Sequence, residues 1–192
     1  WDPATKQLHL ARDRVGIKPL YIMPIEQPTR GTTIFFASEL RSLLATGLAK
    51  FRLDPHGLAT YLWNGFVVGP STIVKGIELL PAGTFVTIDA GQPMPAPTRY
   101  WRLPNAVAGS GRRGSTEQLR AQLLAAVKLR LIADVPLGVF LSGGVDSSAI
   151  AALATEAAPG AIHTFNIGFD QAEYDESRYA RAVAKTLGTR HT

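Results

Sequence analysis

The chain has 192 residues, of which 46% are hydrophobic and 18% are charged, a balance typical of globular proteins that bury a core. It contains no cysteine, which excludes disulfide bonds, thiolate metal sites and a cysteine nucleophile among these residues. The net charge is +5, but the basic residues are scattered and no apolar run is long enough to cross a bilayer. We therefore expect a cytoplasmic protein with neither nucleic acid nor a membrane as a partner. Since the first residue is Trp1 and not methionine, we also expect the chain to be part of a longer protein.

The first half of the chain has a strand-rich pattern. Its apolar and β-branched residues predict short strands at 7–11, 20–25, 32–37 and 84–88. One helix is predicted at 39–46, before Gly47. Another is predicted at 55–64, where Asp54 is the N-cap and Pro55 is the first helical residue. Strands thus dominate this half, as they do in α+β domains.

The amino-acid composition of the chain changes between residues 91 and 115. A proline-rich stretch at 91–97 and a glycine-rich stretch at 108–114 are both unsuited to a regular helix. We therefore predict a linker at 92–114, with a first domain at 1–91 and a second domain at 115–192.

The second half alternates helices with strands. Ser115 and Gln118 predict a capping box, and the helix that it opens carries an apolar stripe expected to face a core: Leu119, Leu123, Val127 and Leu131. Strands are predicted at 135–141 and 162–169, and helices at 147–158 and 175–187, the last ending at Gly188. The first of these strands is largely apolar, so we expect both of its faces to be buried in a doubly wound parallel α/β sheet.

The loop between the first of these strands and its helix has the sequence Ser-Gly-Gly-Val-Asp-Ser-Ser, residues 142–148. Free N–H groups at a helix N-terminus bind anions, and glycine lets the backbone approach a phosphate closely. The hydroxyls of Ser142, Ser147 and Ser148 offer further donors, and the Asp146 carboxylate is a ligand suited to magnesium. Because ligands of such sheets bind beyond the carboxyl ends of the strands, the loop predicts a site for ATP, and for its pyrophosphate part in particular.

Better-known loop motifs do not fit this segment. The chain has no Gly-Lys-Ser or Gly-Lys-Thr, so it has no Walker A loop, and the G-x-G-x-x-G and G-x-S-x-G patterns do not match at residues 140–148. The segment resembles the PP-loop, S-G-G-x-D-S-[ST], of the ATP pyrophosphatases, which cleave ATP to AMP and pyrophosphate. An ordinary strand-to-helix loop without a ligand is the alternative.

Beyond this loop, the chain resembles the glutamine-hydrolysing asparagine synthetases over nearly its whole length. The segments that carry the resemblance are 11–21 (ARDRVGIKPLY), 36–43 (FASELRSL), 79–83 (LLPAG), 100–101 (YW), 133–138 (ADVPLG), 165–169 (FNIGF), 175–176 (DE) and 187–191 (LGTRH). The resemblance implies the end of an N-terminal-nucleophile glutaminase domain, followed by the start of an ATP pyrophosphatase domain. In such enzymes ammonia from glutamine attacks an aspartyl-adenylate, which gives asparagine, AMP and pyrophosphate.

The resemblance also implies roles for individual residues. The phosphates would be held by the loop, magnesium by Asp146, and adenine by the backbone at Phe140 and Ile167. The full set of implied ATP-binding residues is Phe140, Leu141, Ser142, Gly143, Gly144, Val145, Asp146, Ser147, Ser148 and Ile167. ATP and Mg²⁺ are thus the expected nucleotide and metal, and aspartate and glutamine the other small-molecule substrates.

The chain also departs from the family pattern. The family's nucleophile is an N-terminal cysteine, and its second metal carboxylate, aspartate pocket and catalytic lysine lie in downstream motifs that these residues do not include. No catalytic set is complete here, so we expect no glutaminase and little or no synthetase activity from this chain alone. Arg12, Asp13 and Arg14 are expected to have a structural role, pairing charges around the turn at Gly16.

Several alternatives stay open. Related amide-forming enzymes share both domains, namely β-lactam synthetases, lasso-peptide cyclases and exopolysaccharide-associated amidotransferases. Synthetases of GMP, NAD or argininosuccinate share the loop but not the strand-rich first half. A non-catalytic nucleotide-binding module is an alternative of another class. The sequence does not decide the oligomeric state, and a homodimer is one option.

Overall fold

The computed structural model describes residues 1–27, 31–104 and 114–192, and the chain divides into two compact units, Trp1–Ala106 and Val107–Thr192. Part of the predicted linker, residues 105–113, lies outside the described residues. Thr98–Arg99, also within the predicted linker, form a short strand that pairs with the first unit. Within the described residues, no helix is long and apolar enough to cross a membrane.

The first unit contains two antiparallel sheets and two helices. Its elements are β1 (Gln7–Ala11), β2 (Tyr21–Gln27), β3 (Gly31–Ala37), α1 (Leu40–Ala45), α2 (Pro55–Asn64), β4 (Glu78–Leu79), β5 (Thr84–Asp89) and β6 (Thr98–Arg99). One sheet has the strand order β1-β5-β6 and the other β3-β2-β4. The four strands and two helices predicted for this half are confirmed to within two residues at each end.

The alternation of side chains along β2 builds the layers of this unit. Ile22 faces the other sheet and packs with Leu10 of β1 and with Val86 and Ile88 of β5. The next residue, Met23, faces the opposite side, where it packs with Leu43 of α1 and with the segment 74–77. Successive strand residues point to opposite faces, so one strand contributes to two cores. The unit is therefore a sheet-on-sheet sandwich with α1 on its outer side.

Local signals in this unit act as the sequence indicates. The Asp54 side chain accepts hydrogen bonds from the backbone N–H groups of His56 and Gly57, at 2.8 and 3.0 Å, and so caps α2. The charges before Gly16, however, do not pair with one another. Arg12 donates to the carbonyl oxygens of Lys18, Leu80 and Gly16 at 2.8–3.0 Å. Arg12 and Asp13 thus hold this turn through backbone groups, which corrects the expectation of charge pairing.

The second unit alternates helices with strands. Its elements are α3 (Thr116–Lys128), β7 (Leu137–Phe140), α4 (Val145–Ala157), β8 (Ile162–Phe165), α5 (Ser177–Leu187) and β9 (Arg190–His191). The three strands are parallel, in the order β7-β8-β9. The predicted capping box is confirmed, since Ser115 Oγ accepts from Gln118 N and Gln118 Oε1 accepts from Ser115 N, both at 3.2 Å.

The helices of this unit pack on one face of its sheet. Val139 packs against both of the unit's core clusters, which take residues from α3, α4 and α5. Phe140 points to the opposite face and is 75% exposed. The expectation that both faces of this strand are buried is therefore wrong for the described residues, because no helix among them covers the second face.

Two further predictions for this unit need correction. The apolar stripe of α3 is only partly buried, because Val127 is in the core while Leu119 and Leu123 are 58% and 37% exposed. The strand predicted at 162–169 ends at Phe165. Residues 166–169 leave the sheet at its carboxyl edge, where three of them line a cleft beside the loop that follows β7.

Candidate functional site

The loop 142–148 is closed on itself by hydrogen bonds. Ser142 Oγ and Ser147 Oγ lie 2.9 Å apart, and Ser147 Oγ accepts from the Ser142 N–H at 3.3 Å and donates to the Gly144 carbonyl at 3.2 Å. Gly144 N donates to Ser142 Oγ at 3.3 Å. These contacts tie the end of β7 to the first turn of α4. The loop is therefore shaped before any ligand arrives.

The first turn of α4 presents backbone donors to the outside. Gly144 is the N-cap, with φ −69° and ψ 163°, and no side chain caps the turn. The first backbone N–H that has a partner inside the helix is that of Ser148, which donates to Gly144 O at 3.0 Å. The first N–H groups of a helix have no intrahelical acceptor and lie at the positive end of its dipole. The start of α4 is thus suited to an anionic group such as a phosphate.

The two glycines of the loop serve different purposes. Gly143 has φ +85°, and a Cβ atom on it would lie 2.4 Å from the Tyr179 Cβ atom and 2.8 Å from the Ala180 backbone nitrogen. A Cβ atom on Gly144 would meet only Ser142 Oγ, at 3.4 Å. Gly143 is therefore required by packing against α5, which is a reason for glycine that the sequence interpretation did not include. At Gly144, by contrast, the position that a Cβ atom would take is largely open among the described residues.

Ser148 differs from the other two serines. Its Oγ is buried and has no hydrogen-bond partner among the described residues, whereas the hydroxyls of Ser142 and Ser147 bond to each other. A buried hydroxyl without a partner costs about 1–3 kcal/mol. The native loop thus keeps an unfavourable polar group just inside the first turn of α4.

A cleft of about 420 Å³ lies at the carboxyl ends of β7 and β8. It is lined by Phe140, Leu141, Ser142, Ser147, Phe165, Asn166, Ile167, Phe169 and Glu176. Its lining combines apolar side chains with a few polar ones, so the cleft suits a ligand that has both an apolar or aromatic part and polar groups. Five of the ten predicted ATP-binding residues line it; Gly143, Gly144, Val145, Asp146 and Ser148 do not.

Sequence reasoning missed a group of polar residues beside this cleft. Asn166 Nδ2 donates to the Leu141 carbonyl at 3.2 Å, and its Oδ1 accepts from Ser177 Oγ at 2.7 Å. Ser177 Oγ also contacts the Asp175 carboxylate, so its single proton is shared between Asn166 Oδ1 and Asp175 Oδ1, and the Ser177 N–H donates to the same carboxylate. These contacts with Ser177 hold the pKa of the Asp175 carboxyl below its usual range. A polar residue directly after a parallel strand was the available signal for Asn166.

The predicted magnesium ligand lies on the first turn of α4. Asp146 is exposed, and the described residues contain no group of three or more histidine, cysteine or acidic side chains that would hold a metal ion. Magnesium often takes only one or two protein carboxylates and completes its shell with phosphate oxygens and water. A single carboxylate on the first turn of a helix with free N–H groups is compatible with that pattern.

Comparison with known proteins defines the class of the chain. A family model described as a glutamine amidotransferase domain matches residues 1–101, and one described as asparagine synthase matches residues 118–192. The two-sheet unit therefore belongs to the first class and the parallel α/β unit to the second.

Individual proteins that are similar to the chain indicate its family more closely. The chain is 37% identical to a putative asparagine synthetase [glutamine-hydrolyzing] of Mycobacterium tuberculosis strain H37Rv, in an alignment that covers 100% of the chain and 29% of the relative. It is 31% identical to asparagine synthetase [glutamine-hydrolyzing] 1 of Bacillus subtilis strain 168, covering 98% of the chain and 28% of the relative. It is also 32% identical to amidase chry2 of Gibberella zeae, covering 98% and 29%. The chain belongs to the glutamine-hydrolysing asparagine synthetase family and spans about three tenths of the length of these relatives.

Proposed function

We propose that the full-length protein is a carbon–nitrogen ligase that forms asparagine from aspartate, ATP and ammonia released from glutamine. The loop 142–148 carries this proposal, because it opens a helix start to an anion beside a cleft, in a chain of this family. Residues 1–91 would be the end of an N-terminal-nucleophile glutaminase domain, 92–114 a linker, and 115–192 the start of a doubly wound ATP pyrophosphatase domain. The protein would act in the cytoplasm.

The chemistry follows from the weakness of a carboxylate as an electrophile. Adenylation of the aspartate side chain turns it into an acyl group with AMP as a good leaving group, which ammonia displaces. The free N–H groups at the start of α4 would stabilise the charge that builds up on the departing pyrophosphate. A bound magnesium ion, held by Asp146 and the phosphates, would neutralise part of the same charge.

In this proposal the loop binds the phosphates of ATP and the cleft binds its adenine base. Ser142, Ser147 and Ser148 would bind the phosphates, together with the backbone of Gly143, Gly144 and Val145. The backbone at Phe140 and Ile167 would bind adenine, Leu141 would line the same cleft, and the base would cover the exposed Phe140 side of the cleft. The open space at Gly144 supports this division, since a phosphate needs close approach there.

Residues 1–192 alone would complete neither active site. They contain no cysteine, and Asp146 is the one metal ligand proposed among them. We therefore expect that the chain by itself does not hydrolyse glutamine and has little or no synthetase activity.

A second candidate is amide formation on a different carboxylate. Amidase chry2, at 32% identity, is about as similar to the chain as asparagine synthetase 1 of Bacillus subtilis, at 31%. Identity over this segment thus does not select the carboxylate, and β-lactam synthetase-like, lasso-peptide cyclase-like or exopolysaccharide-associated activities use the same loop.

The deciding experiment uses the full-length protein with ATP, Mg²⁺, aspartate, and either glutamine or ammonium. AMP, pyrophosphate and asparagine are quantified for the wild type, for Asp146→Ala, and for Asp134→Ala, an exposed carboxylate before the opposite end of β7. Equal, aspartate-dependent amounts of AMP and asparagine, lost only in Asp146→Ala, are expected. AMP formation that depends on another carboxylate would select the second candidate, and no AMP with any carboxylate would overturn both.

A further inference from the structure

Asn166 stands where three strands and a helix meet. It follows the last residue of β8, and its backbone N–H donates to Thr192 O, just beyond β9, at 2.9 Å. Its side chain reaches the other way, to Leu141, the residue between β7 and Ser142. Through Ser177 it also contacts the first turn of α5. One half-buried side chain thus connects the elements around the loop.

The orientation of the Asn166 amide is fixed by its partners. The Leu141 carbonyl can only accept a hydrogen bond, so the NH₂ group must face it, and the amide oxygen then faces Ser177. The Ser177 hydroxyl can therefore only donate in that contact, and it shares its one proton between Asn166 Oδ1 and Asp175 Oδ1. Ser177 is 8% exposed and is itself held by Asp175, so its hydroxyl is constrained in turn.

The two backbone bonds at Leu141 place the loop relative to the cleft. Leu141 N donates to Phe165 O at 2.7 Å, which is the last backbone rung between β7 and β8 before the loop. The Asn166 side chain then holds the Leu141 carbonyl, one residue before the loop starts. Any rotation of the peptide between Leu141 and Ser142 would move the Ser142 N–H away from Ser147 Oγ.

We infer that Asn166 is a positioning residue for nucleotide binding, and that Ser177 acts through it. This inference rests on the proposed ATP site, because the loop and the cleft wall that Asn166 ties together are its two parts. Asn166 needs no contact with the nucleotide in this role. It fixes the distance between the phosphate-binding loop and the apolar wall formed by residues after β8.

The test uses three single variants of the full-length protein. Asn166→Asp keeps the shape and the acceptor for Ser177 but replaces the donor to Leu141 by an oxygen. Ser177→Ala removes the hydroxyl that orients the amide. Thr186→Ala is the matched control, because it removes a hydroxyl of the same helix that bonds only to Ala182 O within α5.

The expected effect is on nucleotide affinity more than on turnover. The KM for ATP should rise about tenfold in Asn166→Asp and less in Ser177→Ala, with smaller changes in kcat and none in Thr186→Ala. Because Ser177 acts through Asn166, the double variant should be no worse than Asn166→Asp alone. Full additivity of the two effects, or a KM for ATP unchanged in Asn166→Asp, would overturn the inference.

A second readout needs no nucleotide. Hydrogen exchange of the backbone in residues 141–148 should be faster in Asn166→Asp than in the wild type, while exchange in the first unit stays unchanged. Unchanged exchange in that loop would overturn the positioning role even if ATP were not the ligand. A wild type that forms no AMP would instead overturn the proposed function, so the two failures are distinguishable.

Discussion

The backbone of Gly143 lies so close to α5 that a Cβ atom on it would be 2.4 Å from the Cβ atom of Tyr179. The same residue has φ +85°, a region that residues with a side chain rarely adopt. The close packing and the positive φ both require glycine at this position. Gly144, the second glycine of the loop, has neither constraint. The two glycines therefore allow the stability of the loop to be tested separately from its proposed contact with phosphate.

Replacing Gly143 by alanine should destabilise the second unit. The new methyl group would collide with the backbone and Cβ of Tyr179, and the positive φ adds strain, so we expect a loss of about 2–4 kcal/mol in the free energy of unfolding. Hydrogen exchange in α4 and α5 of the full-length protein measures this loss. Exchange as slow as in the wild type would show that α5 yields easily, contrary to this expectation.

Replacing Gly144 by alanine should leave the stability of the protein nearly unchanged and weaken the binding of ATP. Its φ of −69° suits alanine, and the nearest atom to the new methyl group is Ser142 Oγ at 3.4 Å. The methyl group would occupy the space through which a phosphate approaches the first turn of α4. ATP affinity measured by calorimetry should fall at least about tenfold. Normal affinity would mean that the phosphate lies elsewhere.

Local sequence signals predicted much of this fold. Asp54 and Ser115 each cap the helix that follows them, because a cap depends on residues within three positions of it. The parallel arrangement of β7 and β8 also follows from a helix between two apolar strands. The resemblance then identified the family that the comparisons confirm.

Contacts between distant segments were harder to predict. The sequence near Gly143 does not indicate that Tyr179, in the later helix α5, packs against it. The apolar Phe140 looked like a core residue, yet burial depends on whether another element covers that face of β7. Asn166 was quoted in the family match without a role, since its partners Leu141 and Ser177 come from other elements.

Replacing Ser148 by alanine should affect stability and binding in opposite directions. Its Oγ is buried and has no hydrogen-bond partner in the described part of the chain, so removing it should leave the free energy of unfolding unchanged or raise it slightly. ATP affinity should fall if this hydroxyl turns to the phosphates on binding. Ser147→Ala is the matched comparison, because it removes a hydroxyl bonded to Ser142 and Gly144 and should lose about 1 kcal/mol of stability. Equal losses of stability in both variants would contradict the difference between the two serines.

The turn that begins at Asp13 should make the first unit sensitive to acid. Backbone N–H groups of Lys18 and Ile17 donate to its carboxylate, both at 3.0 Å, and hold the pKa of Asp13 below its usual range. Because the folded pKa is lowered, the unfolded chain binds the proton more readily; the stabilisation is present above about pH 4 and is lost as the pH falls through the folded pKa. Asp13→Asn should therefore lower stability at neutral pH and differ less from the wild type as acid is added, followed by hydrogen exchange or urea unfolding from pH 7 downward. Asp134→Asn, in the other unit, is the control, and a deficit in Asp13→Asn that stays constant with pH would assign the effect to lost shape and not to the charge.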